Sequence, residues 1–162
     1  MTRFYGIDEA NEALPDVERI LLALRDQRAE LIRLRDAVLA ASKRGEGERG
    51  EGERGEGERG EGGGQAPTSG DDPDARDREA AAARRLMRLR MQGLIDQMQA
   101  GVTRLVEQEV TLREIEAGLI DFPALASGRQ IWLCWRLGEG DIEWWHELDD
   151  GFAGRRRLSE LT

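Results

Sequence analysis

Apolar residues fall at spacings of three and four in two long stretches of the chain. In the first, Ile20, Leu24, Leu31, Leu34 and Val38 line one face, Gln27 fills the gap, and Val17 and Leu21 flank the line. That period matches one side of an α-helix. Asp8 is placed to cap a short helical turn ending near Leu14. Pro15 suits the first position of a longer helix, with Asp16 and Glu18 favourable in its first turn. The region of helix 1 is therefore 8–42. In the second stretch, 77–109, Met87, Met91, Leu94, Met98, Val102 and Leu105 repeat the pattern, widened by Ile95 and Val106. Gly93 and Gly101 each cost about 1 kcal/mol against Ala in a helix, but they permit a neighbouring helix to come close. Two such helices joined by a structureless segment predict an antiparallel hairpin.

The segment between them breaks the pattern. From Gly45 it reads GEGER three times and closes with GEGGG at Gly64. It offers no apolar side chain to bury, and Gly is the costliest residue to order. The expectation is a disordered low-complexity linker over 43–76, tolerated as an insertion at the hairpin tip. The formal net charge of the chain is −9, and the seven Glu and three Arg of this block supply −4 of it. The remainder is only mildly acidic, which speaks against a dedicated nucleic-acid binder. The short basic runs at Arg84, Arg85, Arg88 and Arg90, and at 155–157, read as solvated faces or as partners for the acids of 141–150. The N-terminus lacks a secretory pattern, and no apolar run is long enough for a membrane span. The single Cys excludes an internal disulfide framework. A soluble, cytoplasmic, single-domain protein over 1–162 is expected.

Beyond residue 109 the period shortens. Val110 and Leu112 alternate as in a short strand, a helical turn and Gly118 follow, and Pro123 blocks continuation. Ser127-Gly128 signals a turn, and 130–137 and 142–148 read as the strands of a β-hairpin. With Glu139-Gly140 as a two-residue loop, Arg136 faces Glu143, Trp135 faces Trp144, Cys134 faces Trp145 and Leu133 faces His146. This register pairs opposite charges and stacks two indoles. It sorts Ile131, Leu133, Trp135, Ile142, Trp144 and His146 onto a core face, and Trp132, Cys134 and Trp145 onto the other. The predicted fold is α+β, mainly α: an antiparallel long-helix hairpin followed by a small antiparallel β-sheet over 110–162, with the β-hairpin 130–148 at its heart.

Candidate chemistry concentrates in that hairpin, which holds all four Trp, the Cys and the single His. The register above puts Cys134 and His146 on opposite faces, against a Cys–His dyad. There is no HExxH, no paired-His spacing and no CxxC, and neither GxGxxG nor the Walker pattern is present. No metal and no cofactor are expected on these grounds. Trp132 and Trp145, left on the outer face, form a candidate interaction surface that the C-terminal segment or a second molecule would cover.

The C-terminal stretch resembles the bacterial family known as domain of unknown function 2203. The resemblance rests on GLIDFP (118–123), Gly128-Arg129, LCWRLGE (133–139), Trp145-His146 and GFAGR (151–155), together with EANEALP (9–15). It covers nearly the whole ordered chain. One departure is Glu109, where the family pattern leads one to expect a Gly ending the second helix in a left-handed cap. The resemblance implies a helical hairpin with a small sheet and no assigned activity. Its recurring polar residues, Asp121, Arg129, Glu139, His146 and Arg155, form the candidate polar site, read either as a ligand site or as a buried network that fixes turns.

Two functions follow as expectations. The first is a non-enzymatic interaction or scaffold module, self-associating as a homodimer or holding a protein partner, with no membrane or nucleic-acid role. The alternative is a small-molecule or metal-binding domain, possibly hydrolytic, using Asp121, Glu139 and His146 with Arg129 and Arg155. The sequence leaves open whether the protein is an enzyme.

Overall fold

The structure, a computed structural model, describes residues 3–50 and 72–161. Helix α1 spans Ile7–Gly50 and helix α2 spans Pro73–Glu107. Five strands follow: β1 (Thr111–Glu114), β2 (Leu119–Ala126), β3 (Arg129–Arg136), β4 (Trp144–His146) and β5 (Arg156–Arg157). They pair in sequence order as one antiparallel meander. The two helices and the sheet give the α+β class the patterning predicts. Both helices reach into the expected linker, α1 to Gly50 and α2 from Pro73. The rest of that expectation falls on 51–71, outside the described residues. No helix among the described residues is long and apolar enough to cross a membrane.

Chain packing divides the molecule into two units, Met1–Ala29 with Leu94–Thr162, and Glu30–Gly93. In the first unit α1 and α2 run antiparallel. Gln108 Nε2 donates to Asp16 Oδ2 at 2.8 Å and Gln27 Nε2 to Gln97 Oε1 at 3.3 Å. Ala10, Leu14, Val17, Leu21 and Leu24 make the buried line of α1. Val17 and Leu21, expected at its flank, therefore lie at its centre. A Cβ on Gly101 would stand 3.0 Å from Leu24 Cδ2, so this Gly does bring the helices close, whereas Gly93 has open space around it. In the second unit Glu30 and Arg90 pair at 2.8 Å across the helices.

Pro15 does not open a second helix. It lies inside α1, where it withholds one i→i−4 hydrogen bond but keeps helical φ. Helix α2 ends in a left-handed cap despite the missing Gly. Glu109 has φ 59°, and its N–H reaches Val106 O at 2.9 Å while Val110 N–H reaches Leu105 O at 2.9 Å. Those two bonds, with Leu105 and Val110 both buried, make a Schellman ending. An L-residue in that conformation costs roughly 1–2 kcal/mol. Glu109→Gly is therefore expected to raise stability by about 1 kcal/mol. Urea denaturation checks this, and an unchanged or lowered midpoint would refute it.

The sheet core comes from one face. Ile120, Phe122 and Ala124 of β2 pair with Trp135, Leu133 and Ile131 of β3, and all six are buried with the helices' apolar line. The strand β2 includes Pro123, which the sequence reading took as a block. It is tolerated because β1 pairs with β2 only at Leu119–Asp121. Past that point the side of β2 away from β3 has no strand beside it, and there Pro123 O accepts the Tyr5 N–H at 2.8 Å. The missing N–H of Pro123 thus costs no ladder bond.

The hairpin register differs from the expected one by a single residue. Cys134 faces Trp144, Leu133 faces Trp145 and Trp132 faces His146. The connection is not a two-residue turn: residues 137–143 lie between the strands. Trp135 Nε1 donates to Gly140 O at 2.8 Å, and Ile142 N–H donates to Asn11 Oδ1 at 2.8 Å. The backbone here is held by side chains and by α1 rather than by its partner strand. Because side chains alternate with period two, the shift moves whole faces. Trp145 joins the core, while Trp144 and His146 join Cys134 on the other face.

Candidate functional site

Three strands deliver the polar groups of that second face. Asp121 sits mid-β2 directly opposite Cys134 of β3. His146 ends β4. Arg113 lies on β1 one residue past Leu112, which packs against the core, so alternation sends its side chain to the Asp121 side. Asp121, Cys134 and His146 are only 1–2% exposed. A carboxylate oxygen, the sulfur and an imidazole nitrogen lie within 4.8 Å of one another.

The hydrogen bonds order this cluster. Arg113 Nε donates to Asp121 Oδ2 at 2.6 Å, and its guanidinium lies 5.1 Å from the Trp132 ring centre. His146 Nδ1 is 2.7 Å from Glu147 O. A carbonyl only accepts, so Nδ1 carries the hydrogen. His146 Nε2 then faces Asp121 Oδ1 at 3.2 Å. Nε2 is thereby the ring nitrogen turned toward the Asp121 carboxylate. Burial, followed by the charge and hydrogen bond of Asp121, pushes the Cys134 thiol up to about 12, against a smaller lowering by Arg155. A thiol so held stays protonated at neutral pH and is no activated nucleophile. Asp121, Cys134, His146 and Arg113 line a cavity of about 240 Å³, together with Asp149, Asp150 and Phe152 among others.

A second group adjoins the sulfur. Arg155 pairs with Glu139 at 2.7 Å, and its guanidinium lies 4.4 Å from the Trp144 ring centre and 4.2 Å from that of Phe152. Its Nη1 is buried without a hydrogen-bond partner among the described residues. Arg129 stands apart: it binds Glu147 at 3.0 Å and lies 5.8 Å from the Trp145 ring centre. The run 155–157 is matched acid for acid, with Arg156 on Asp150 and Arg157 on Glu143.

Of the five polar residues picked from the sequence, Asp121 and His146 meet, Glu139 and Arg155 meet, and Arg129 lies outside. Cys134 and Arg113 were not among them. Reading 119–126 as a strand would have aligned Asp121 with Cys134, and extending the Val110/Leu112 alternation would have exposed Arg113. The proposed surface pair also separates. Trp145 is buried, with Nε1 donating to Arg157 O at 3.0 Å, and Trp132 is partly covered, with Arg113 over its ring.

Fold and site together define an antiparallel helix pair carrying a five-stranded meander, with a buried polar cluster on the face turned from the core. The chain belongs to the family described as Uncharacterized conserved protein (DUF2203), whose model matches residues 3–158. Neither a curated protein nor a solved structure matches it.

Proposed function

We propose that the protein is a small-ligand-binding domain whose site is the cavity lined by Arg113, Asp121, Cys134 and His146. The observation that carries this reading is the convergence of a carboxylate, a thiol and an imidazole, all buried, on one cavity of about 240 Å³. Burying such groups is costly unless they are fully paired. Native mass spectrometry on untagged protein from its own host, prepared without chelator, tests the reading. An added mass that disappears in His146→Ala is expected, and a clean apo mass in the wild type would refute it.

A second reading, a self-associating helical module, draws on the unit Glu30–Gly93, where Leu39, Leu86 and Leu89 are 54–67% exposed. Several large apolar side chains open to water on helices are a common basis for helix association.

A further inference from the structure

We infer that Asp121 Oδ1, Cys134 Sγ and His146 Nε2 are three ligands of one divalent zinc-class cation, with a fourth position open to the cavity. The inference deepens the ligand-binding reading and rests on it.

The first argument is the contact between Nε2 and Oδ1. Two ligands at about 2.1 Å from a tetrahedral zinc lie about 3.4 Å apart. The 3.2 Å separation seen here is nearly that edge. A proton between the two atoms would serve them and leave the sulfur only its hydrogen bond to Asp121. A cation serves all three. The second argument is the support around the ligands. A metal-binding imidazole almost always donates its other N–H to a carbonyl or carboxylate, and a binding carboxylate is itself hydrogen-bonded. Here Nδ1 turns to Glu147 O and Asp121 Oδ2 takes Arg113 Nε. These two ligands are thus each oriented through the atom not given to the metal.

Charge and chemistry agree with a borderline-soft ion. A thiolate and an imidazole suit zinc rather than magnesium or calcium, which take oxygen. Binding expels the thiol proton to solvent, and M²⁺ with one thiolate and one carboxylate is then neutral. Arg113 and Arg155 are not opposed by such a centre. Three protein ligands with an open fourth position is the arrangement of zinc sites that bind water or substrate, while structural zinc is closed by four. The cavity gives that position room, with Asp149 and Asp150 on its wall.

The test is a cobalt titration of the full chain, chelator-stripped, reduced and without a histidine tag. Cobalt bound to a thiolate gives a near-ultraviolet charge-transfer band, and the chain has one Cys, so the band reports this site alone. The expected result is a band that saturates at one equivalent, is displaced by zinc, and is lost in Cys134→Ser. Arg113→Ala should keep the band and weaken cobalt affinity about 10–100-fold. Zinc displacement from the wild type decides the matter even if Cys134→Ser fails to fold. Absence of a band in the wild type overturns the inference. If native mass spectrometry then still shows an organic ligand lost on His146→Ala, the ligand-binding reading survives without the metal. If it shows nothing bound, both fall.

Discussion

Phe122→Ala is expected to lower the unfolding free energy by about 3–5 kcal/mol, the usual cost of emptying a fully buried aromatic site. Phe122 is completely buried on the core face of β2. Its ring meets Tyr5 edge-on, with centres 4.9 Å apart. Tyr5 in turn donates its N–H to Pro123 O and its hydroxyl to Gln108 O at 2.6 Å. One ring therefore backs the contact that joins the N-terminal segment, the middle of β2 and the end of α2. Collapse of neighbours into the space would need Tyr5 to move, and both of its hydrogen bonds resist that. Guanidinium denaturation followed by Trp fluorescence measures the loss. A change under 1 kcal/mol would mean that Phe122 is not in the core.

Asp121→Ala is expected to cost about 3 kcal/mol in chelator-stripped protein, at the low end for removing one partner of a buried pair. Arg113 is half-exposed and can turn to water, so most of the cost falls on His146, which is buried and loses the Asp121 contact on Nε2. Asp121→Asn should cost clearly less. Its amide can donate to the Nε2 lone pair and its carbonyl can still accept from Arg113. The two variants thus part the structural from the ligand role: both should lose cobalt binding, but only the Ala variant should lose much stability. Equal stability losses in the two would contradict this arrangement.

The helices were legible because apolar spacing encodes them directly, and the separate sheet region because the period changes after 109. The site was legible in composition but not in geometry. Asp121 and His146 were singled out, yet the register placed His146 in the core and Cys134 across the sheet from it. That register was chosen to pair Arg136 with Glu143 and to stack Trp135 on Trp144. Those gains are worth tenths of a kcal/mol to about 1 kcal/mol each. They were outweighed by burial of Trp145 and by the bonds that Gly140 O and Asn11 Oδ1 make in the connection. No local pattern announces a bond from residue 11 to residue 142. Pro123 misled in the same way, because its tolerance depends on where β1 stops. Glu109 shows the reverse case. The family resemblance argued for a left-handed cap and the residue argued against it, and the buried Leu105 and Val110 contact decided for the cap.

The meander also has a genealogical consequence. Every strand pairs with its neighbour in the chain, so Arg113, Asp121, Cys134 and His146 all come from one uninterrupted passage of sequence. The helices back this passage from its opposite side and give none of these four groups. Copying or trimming of the Gly-Glu-Arg tract, which begins in the last turns of α1 and precedes α2, leaves the reading order of that passage untouched. The gene can thus rewrite its most repetitive stretch without disturbing the spacing on which the cluster depends.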